Sequence, residues 1–436
     1  MIDLNTAVVY DVETLPNVFT LAMETFIGEQ RSVWEISHFR DDRAYLFQWF
    51  AHLGRTQTPM IGFNNVHFDY PVIHFLFNNP QATVEQIYAK AQEILSSNDR
   101  FAHTIWDRDR FAPQVDLFKV HHFDNRAKTT SLKALQINMR SPTVVDSPVQ
   151  FGTNLTPDQI DRDLIPYNRH DVQETKRFAQ YSLKALEFRV GLISQFGVEV
   201  MNYNDVKIGA KMLEQRLGED VCYDRSTGRK SPRQTPRWRI ALSDIIFPYV
   251  QFQHPEFQRV LEFMRAQVLT PDDLDDPDAP IKTKGVFTGL TANVGGLTFH
   301  FGTGGVHASV AASRFIASDD WEIHDIDVEG LYPAIAIQNR LAPEHLGEAF
   351  IAEYAKIPIE RKQHAKGTYQ NGALKLAANG PWGQSNNKFS IFYDPKYAMT
   401  IPINGQLMIC MLVEWLLNVP TLKFIQANTD GITYRI

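Results

Sequence analysis

The feature that most constrains this chain is the run Ile323-His324-Asp325-Ile326-Asp327-Val328, in which apolar and polar residues alternate. A period of two puts successive side chains on opposite sides of an extended backbone, so the run reads as a strand with Asp325 and Asp327 on one face. Leu331-Tyr332-Pro333 then turns the chain toward a new element. A solitary acid on a strand is ordinarily solvated, so Asp327 gains meaning only from its company. A second strand-like segment, Phe424 to Tyr434, has Asp430 at its turn. Between the two lies Lys375-Leu376-Ala377-Ala378-Asn379-Gly380-Pro381-Trp382-Gly383, where Lys375 and Asn379 fall on one helical face.

The N-terminal part holds another acidic set. In Ala7-Val8-Val9-Tyr10-Asp11-Val12-Glu13-Thr14, Asp11 and Glu13 are two apart on a strand and face the same side. Like charges that close repel unless a cation joins them. A short apolar strand, Met60-Ile61-Gly62-Phe63, leads into Asn64, Asn65 and then Asp69. Farther on, Tyr167 and Asp171 are four apart at the start of a helical run, hence on one face.

In their order along the chain, the segments around Asp11 and Glu13, Asp69, and Tyr167 and Asp171 resemble the Exo I, Exo II and Exo III motifs of 3'-5' proofreading exonucleases. Those around Asp327, Lys375 and Asp430 resemble motifs A, B and C of family B DNA polymerases. The resemblance implies an α/β and α+β multidomain architecture. An RNase H-like exonuclease domain would occupy residues 1–200 and a connecting, template-contacting region 201–318. The palm, an antiparallel sheet with helices, would take 319–340 and 384–436, and short helical fingers 341–383. It also implies that Asp11, Glu13, Asp69 and Asp171 hold two Mg²⁺ ions about 4 Å apart, with Mn²⁺ as the alternative ion. Tyr167 would orient the attacking water, with Asp116 and Lys133 in support.

In the polymerase half, the resemblance assigns Asp327 and Asp430 to metal ligation. Tyr332 would lie under the incoming sugar and exclude a 2'-hydroxyl. Lys375 would contact the triphosphate and act as general acid toward pyrophosphate, while Arg361, Lys362, Lys366 and Asn379 line the channel. Lys362 and Lys366 are expected to share a face of one helix, and the amides of Val328 to Leu331 to cradle phosphate oxygens. All three motifs depart from the family pattern in part: motif A has Gly330 for Ser, motif B has Gly380 for Ser and Trp382 for Tyr, and motif C reads Asn428-Thr429-Asp430-Gly431 for Asp-Thr-Asp-Ser. Asp325 is the candidate to restore the charge lost at Asn428. The chain stops at Ile436, just past Asp430, so a thumb is expected to be missing and to come from a second polypeptide or a longer chain. The expected partners are primer-template DNA and deoxynucleoside triphosphates. The short fingers suit a bacteriophage-like enzyme with a nucleic-acid primer, working in the cytoplasm of a bacterial host. Two rivals stay open: a 3'-5' exonuclease with an inactive palm, and a noncatalytic DNA-binding subunit of a split polymerase.

The stretch Val172 to Gly197 reads as one long helix. The loop Arg225 to Arg239 has no acid, and its Arg229, Lys230, Arg233 and Arg237 are candidate phosphate contacts, with Trp238 placed to stack on a base. A solvated loop is the equal alternative. Gly304 and Gly305, in a glycine-rich hairpin, fall where the family has a template-contacting Tyr-x-Gly-Gly, although the Tyr is missing. The acidic turn Asp272 to Asp278 reads as exposed loop without chemistry. With 43 basic and 50 acidic residues the net charge is −7, so nucleic acid must be met by local basic patches. Two cysteines exclude a disulfide framework and a Cys-rich zinc site, and His67, His121, His122 and His170 lack ligand spacing. No apolar run is expected to cross a membrane, and with no basic-then-apolar pattern in its first residues export is not expected.

Overall fold

The computed structural model describes residues 2–99, 101–125, 127–273 and 279–436. Asp275, Asp276 and Asp278 of the acidic turn lie outside the described residues. The chain divides into two units, Met1–Asn204 and Asp205–Ile436.

In the first unit, β1 (Val8–Leu15), β2 (Val18–Thr25) and β3 (Arg31–Ser37) form an antiparallel meander. The short strands β4 (Met60–Gly62) and β5 (Gln114–Asp116) continue the sheet in parallel, giving the order β3-β2-β1-β4-β5. Alternation along β1 feeds two cores. Val8, Tyr10 and Val12 join Leu46, Phe50 and Leu53 of α1 (Arg43–Thr56), Ile73 and Leu76 of α2 (Asp69–Asn78), and Ile87 of α3 (Val84–Ser96). Ala7 and Val9 join Val172, Phe178 and Ala179 on the opposite face. The helical run expected from Val172 to Gly197 begins earlier and is two helices. After the short α4 (Leu117–Val120) and α5 (Leu132–Asn138), α6 covers Ile165–Tyr181 and α7 Leu183–Phe196. Ser182 interrupts them: its hydroxyl donates to the Phe178 carbonyl, and the ring of His121 bonds it from outside. Tyr181, two residues on from the buried Ala179, lies on the outer side of α6 and is exposed.

The second unit opens with α8 (Asp205–Leu217), followed by α9 (Pro255–Arg265). Its six-stranded sheet is built from β6 (Thr291–Val294), β7 (Leu297–Phe301), β8 (Val306–Ser309), β9 (Ile323–Asp327), β10 (Lys423–Ala427) and β11 (Gly431–Arg435). The order is β6-β7-β8-β10-β11-β9, with β9 at the edge. The sheet thus draws three strands from the stretch read from sequence as a connecting region. Between β9 and β10 come α10 (Leu331–Gln338), α11 (Gly347–Lys362), α12 (Tyr369–Gln384) and α13 (Pro395–Leu416).

Contrary to the sequence expectation, α13 has the length and mean hydropathy of a membrane span. Most of that stretch is buried inside the unit, and Asn404 shows why it belongs to a core. Its amide donates to the carbonyls of Ile245 and Thr400, and its oxygen accepts the Phe247 amide. A polar side chain so fully satisfied fixes which face of the helix packs where.

Candidate active centres

In the first unit the chain's alternation delivers the chemistry. Asp11 and Glu13 continue the face of β1 that carries Val9, and α6 packs against that face with Asn168, Val172, Thr175 and Ala179 buried. One turn of α6 therefore sets Asp171 opposite the strand acids. Single carboxylate oxygens of Asp11, Glu13 and Asp171 lie within 4.8 Å of one another, and all three side chains are half-buried. Asp69 begins α2, and its Oδ1 accepts the Val12 amide at 3.2 Å, between the two strand acids. Tyr167 lies one helical turn before Asp171 on the same helix, and its hydroxyl favours the ionised form of that carboxyl.

Burial and mutual repulsion show in the acidities. Burial, then Asp69 and Glu13, hold the Asp11 carboxyl well above the usual range. Burial, followed by the charges of Asp171 and Asp69, pushes Glu13 up to about 8. Burial raises Asp69 to about 7 against the pull of the Val12 amide. Asp171 rises to about 6 by burial, opposed by the neighbouring Tyr167 hydroxyl. Converging anionic oxygens that are each costly to ionise alone fit a divalent cation that prefers oxygen ligands, so the residues present suit Mg²⁺ or Mn²⁺.

Sequence reasoning missed the residue that orients this cluster. Asn168 is fully buried; its Nδ2 donates to Asp11 Oδ2 at 2.8 Å and its Oδ1 accepts the Thr20 hydroxyl at 3.0 Å. The available signal was its place three and four residues from Asp171 and Val172, on the stripe that faces the sheet. Asp116 is buried beside β4 rather than in the cluster, and accepts the amides of Asn64, Val66 and Phe118, fixing the turn that leads to Asp69. Lys133, on α5, is paired with Asp146.

In the second unit β9 and β11 pair with Asp327 opposite Gly431, and the Val328 amide donates to the Asp430 carbonyl at 2.8 Å. That places the two acids at adjoining ends of neighbouring strands. Val328 N–H is thereby committed to the sheet, so it cannot join the phosphate cradle expected of residues 328–331. Asn428 accepts the amides of Asp430 and Gly431 with its side-chain oxygen, at 3.2 and 2.9 Å, and so shapes the turn. Asp325 shares the face of Asp327 and accepts the Thr433 hydroxyl at 2.7 Å.

Tyr332, in the first turn of α10, donates to the Gly304 carbonyl at 2.6 Å and meets Trp382 edge to face, with ring centroids 4.5 Å apart. Trp382 is itself fixed by an Nε1 bond to the Ala398 carbonyl. Burial, then the charge of Asp430, pushes the Tyr332 hydroxyl up to about 12. A pocket of about 520 Å³ gathers Arg361, Lys362, Lys366 and Asn379 with Glu329 and Gly330. Lys362 and Lys366 do not share a helix: α11 ends at Lys362, and Lys366 lies in the following turn beside Gly367, whose φ of +92° breaks helical geometry. Lys375 is exposed on α12, and Asn379 bonds its backbone carbonyl at 3.2 Å.

Four glycines around the second centre are fixed by backbone conformation or close contact. Gly330 sits at φ +59°, a conformation that disfavours Ser. Gly380 lets α12 cross α8, since a Cβ there would lie 2.3 Å from the Ala210 nitrogen. A Cβ on Gly431 would lie 2.5 Å from Asp327 Oδ1, and one on Gly305 2.8 Å from the Thr429 hydroxyl. In the basic loop, Lys230 pairs with Glu219 at 2.6 Å, Arg237 bridges Asp394 and Glu344, and Arg233 bonds the Tyr223 carbonyl, while Arg229 and Trp238 are exposed.

No protein-family model matches the chain, and no curated protein is significantly similar to it. Among solved structures it is similar to the family B DNA polymerase from the hyperthermophilic archaeon Pyrobaculum calidifontis, with a TM-score of 0.48 and 16% identity. The match covers 98% of this chain and 53% of that one, so the chain spans about half the length of the polymerase it matches.

Proposed function

We propose that this chain is the exonuclease and palm-fingers part of a family B DNA polymerase, with an RNase H-like 3'-5' exonuclease in the first unit and nucleotidyl transfer in the second. The observation that carries the reading is the assembly of the motif acids. Asp171, far from Asp11 and Glu13 in sequence, converges with them so that single carboxylate oxygens lie within 4.8 Å, and β9 and β11 bring Asp327 and Asp430 to adjoining strand ends. In such a centre bound Mg²⁺ lowers the charge barrier to phosphodiester chemistry. This chain's own residues hold Asp11 through Asn168, set Tyr167 on the helical face of Asp171, and line a cationic pocket for a nucleoside triphosphate next to the Asp327 turn. Tyr332, braced by Gly304 and Trp382, is the surface against which a deoxyribose packs. The compact helical hairpin of α11 and α12 supports a phage-type member.

One observation favours a second reading, a 3'-5' exonuclease whose palm is inactive. Asn428 spends its side chain on the turn where the family has a carboxylate, leaving two motif acids at that centre. Primer extension and single-strand degradation with Mg²⁺, run on the wild type and on Asp327→Ala and Asp11→Ala variants, separate them. Extension lost only in Asp327→Ala supports the polymerase; degradation lost only in Asp11→Ala, with no extension by the wild type, leaves the exonuclease.

A further inference from the structure

Tyr167 borders a second space besides the carboxylate cluster, a groove of about 530 Å³. Its floor is the outer stripe of α6, where Arg169, His170 and Gln173 recur at helical spacing, away from the buried stripe of Asn168, Val172 and Thr175. Arg162 and Asp163 come from the π-helical segment Ile160–Leu164 that runs into α6, and Val145 and Pro148 supply an apolar wall. Two guanidiniums and an imidazole thus face a single carboxylate. Arg162 and Arg169 are exposed and, among the described residues, form no ion pair. Lys176 and Arg110 of the same unit are by contrast held, Lys176 by Glu24 and the Gly28 carbonyl and Arg110 by Asp107.

We propose that this groove is a phosphate-backbone subsite in which Arg162 and Arg169 grip a single-stranded DNA segment whose scissile end reaches the Asp11–Glu13–Asp171 centre. The inference rests on the nuclease reading of that centre. A guanidinium offers paired donors that match phosphate oxygens, and an exposed one gives up little hydration to do so. The apolar wall and the Tyr167 ring give bases and sugars a surface of no sequence preference. Because the arginines stand outside the acidic cluster, they act on a strand longer than one nucleotide and not on the reacting phosphate.

The test is equilibrium binding of a fluorescent oligothymidylate in EDTA, where no cleavage occurs, to the wild-type chain and to Arg162→Ala/Arg169→Ala and Arg162→Glu variants. Loss of two phosphate contacts is expected to weaken binding about tenfold or more and to reduce the salt dependence of binding by about two counterions. Both positions are exposed, so the variants keep the fold; circular dichroism checks this. Equal affinity in wild type and variants, or no binding by the wild type, overturns the proposal. With Mg²⁺ restored, the variants should lower the ratio of oligonucleotide turnover to turnover of p-nitrophenyl thymidine 5'-monophosphate about tenfold, and an unchanged ratio also overturns it. Absence of any hydrolysis by the wild type, with arginine-dependent binding intact, sinks the nuclease reading and leaves the subsite standing.

Discussion

Asn168 is the residue on which the first centre's geometry turns, because it joins Asp11 to Thr20 while presenting no charge of its own. Outer hydrogen bonds of this kind hold a carboxylate in one orientation for its ligand. Asn168→Ala is expected to raise the Mg²⁺ concentration for half-maximal single-strand degradation about tenfold, with turnover recovering at high Mg²⁺. A metal titration of the rate checks it, and an unchanged midpoint would mean that Asp11 needs no support. Gly431 plays the comparable part in the second centre by absence. Gly431→Ser puts a Cβ where Asp327 Oδ1 now lies. It should cut primer extension about a hundredfold or more, since displacement of a reacting group by an ångström costs about that much. Extension at the wild-type rate would show that Asp327 works from another rotamer.

At the scale of elements, α8 and α12 approach so closely that their backbones touch through glycines. A Cβ on Gly209 would lie 1.9 Å from the Leu376 carbonyl oxygen, and Gly380 faces Ala210 in the same crossing. Gly209→Ala or Gly380→Ala should destabilise the second unit by about 2–3 kcal/mol through overpacking, seen as a lower urea midpoint. An unchanged midpoint would mean that the helices separate at little cost. Such a crossing was not legible in the sequence, where Gly380 stands out only as an odd residue in a motif. What could be read was local: the alternation that made β1 and β9 strands, the two-residue step from Asp11 to Glu13, the four-residue step from Tyr167 to Asp171. Pairings that join distant segments left no local mark. β8 therefore looked like a connection although it lies against β10, and α13 hid its length behind a proline and two polar residues that only burial explains. Lys366 is a different case: the helix has ended at Lys362, four residues earlier, and the spacing from Lys362 alone does not show it.

At the scale of the whole molecule, each unit has its own sheet and its own acids, and the acids of the first unit tie its stability to pH and metal. Glu13, Asp69 and Asp171 are raised to about 8, 7 and 6 in the folded chain, against about 4 for carboxyls in an unfolded one. Between those limits the folded state binds more protons than the unfolded state, so the free energy of unfolding falls as pH rises. The stabilisation from protonated carboxyls is fully present below about pH 4 and is lost as pH climbs to about 8. In EDTA the first unit's melting temperature should therefore fall by about 4–8 °C from pH 5.5 to pH 8, a shift corresponding to about 2 kcal/mol in a unit of this size. Mg²⁺ competes with those protons, so it should raise the melting temperature far more at pH 8 than at pH 5.5. Scanning calorimetry at both pH values, with and without Mg²⁺, reads the effect. The Glu13→Gln variant should flatten the metal-free slope, because it removes the carboxyl with the highest of the three values. A melting temperature that climbs with pH in EDTA would show that the acids are stabilised as anions by the protein alone, leaving no electrostatic reason for a cation to occupy the cluster.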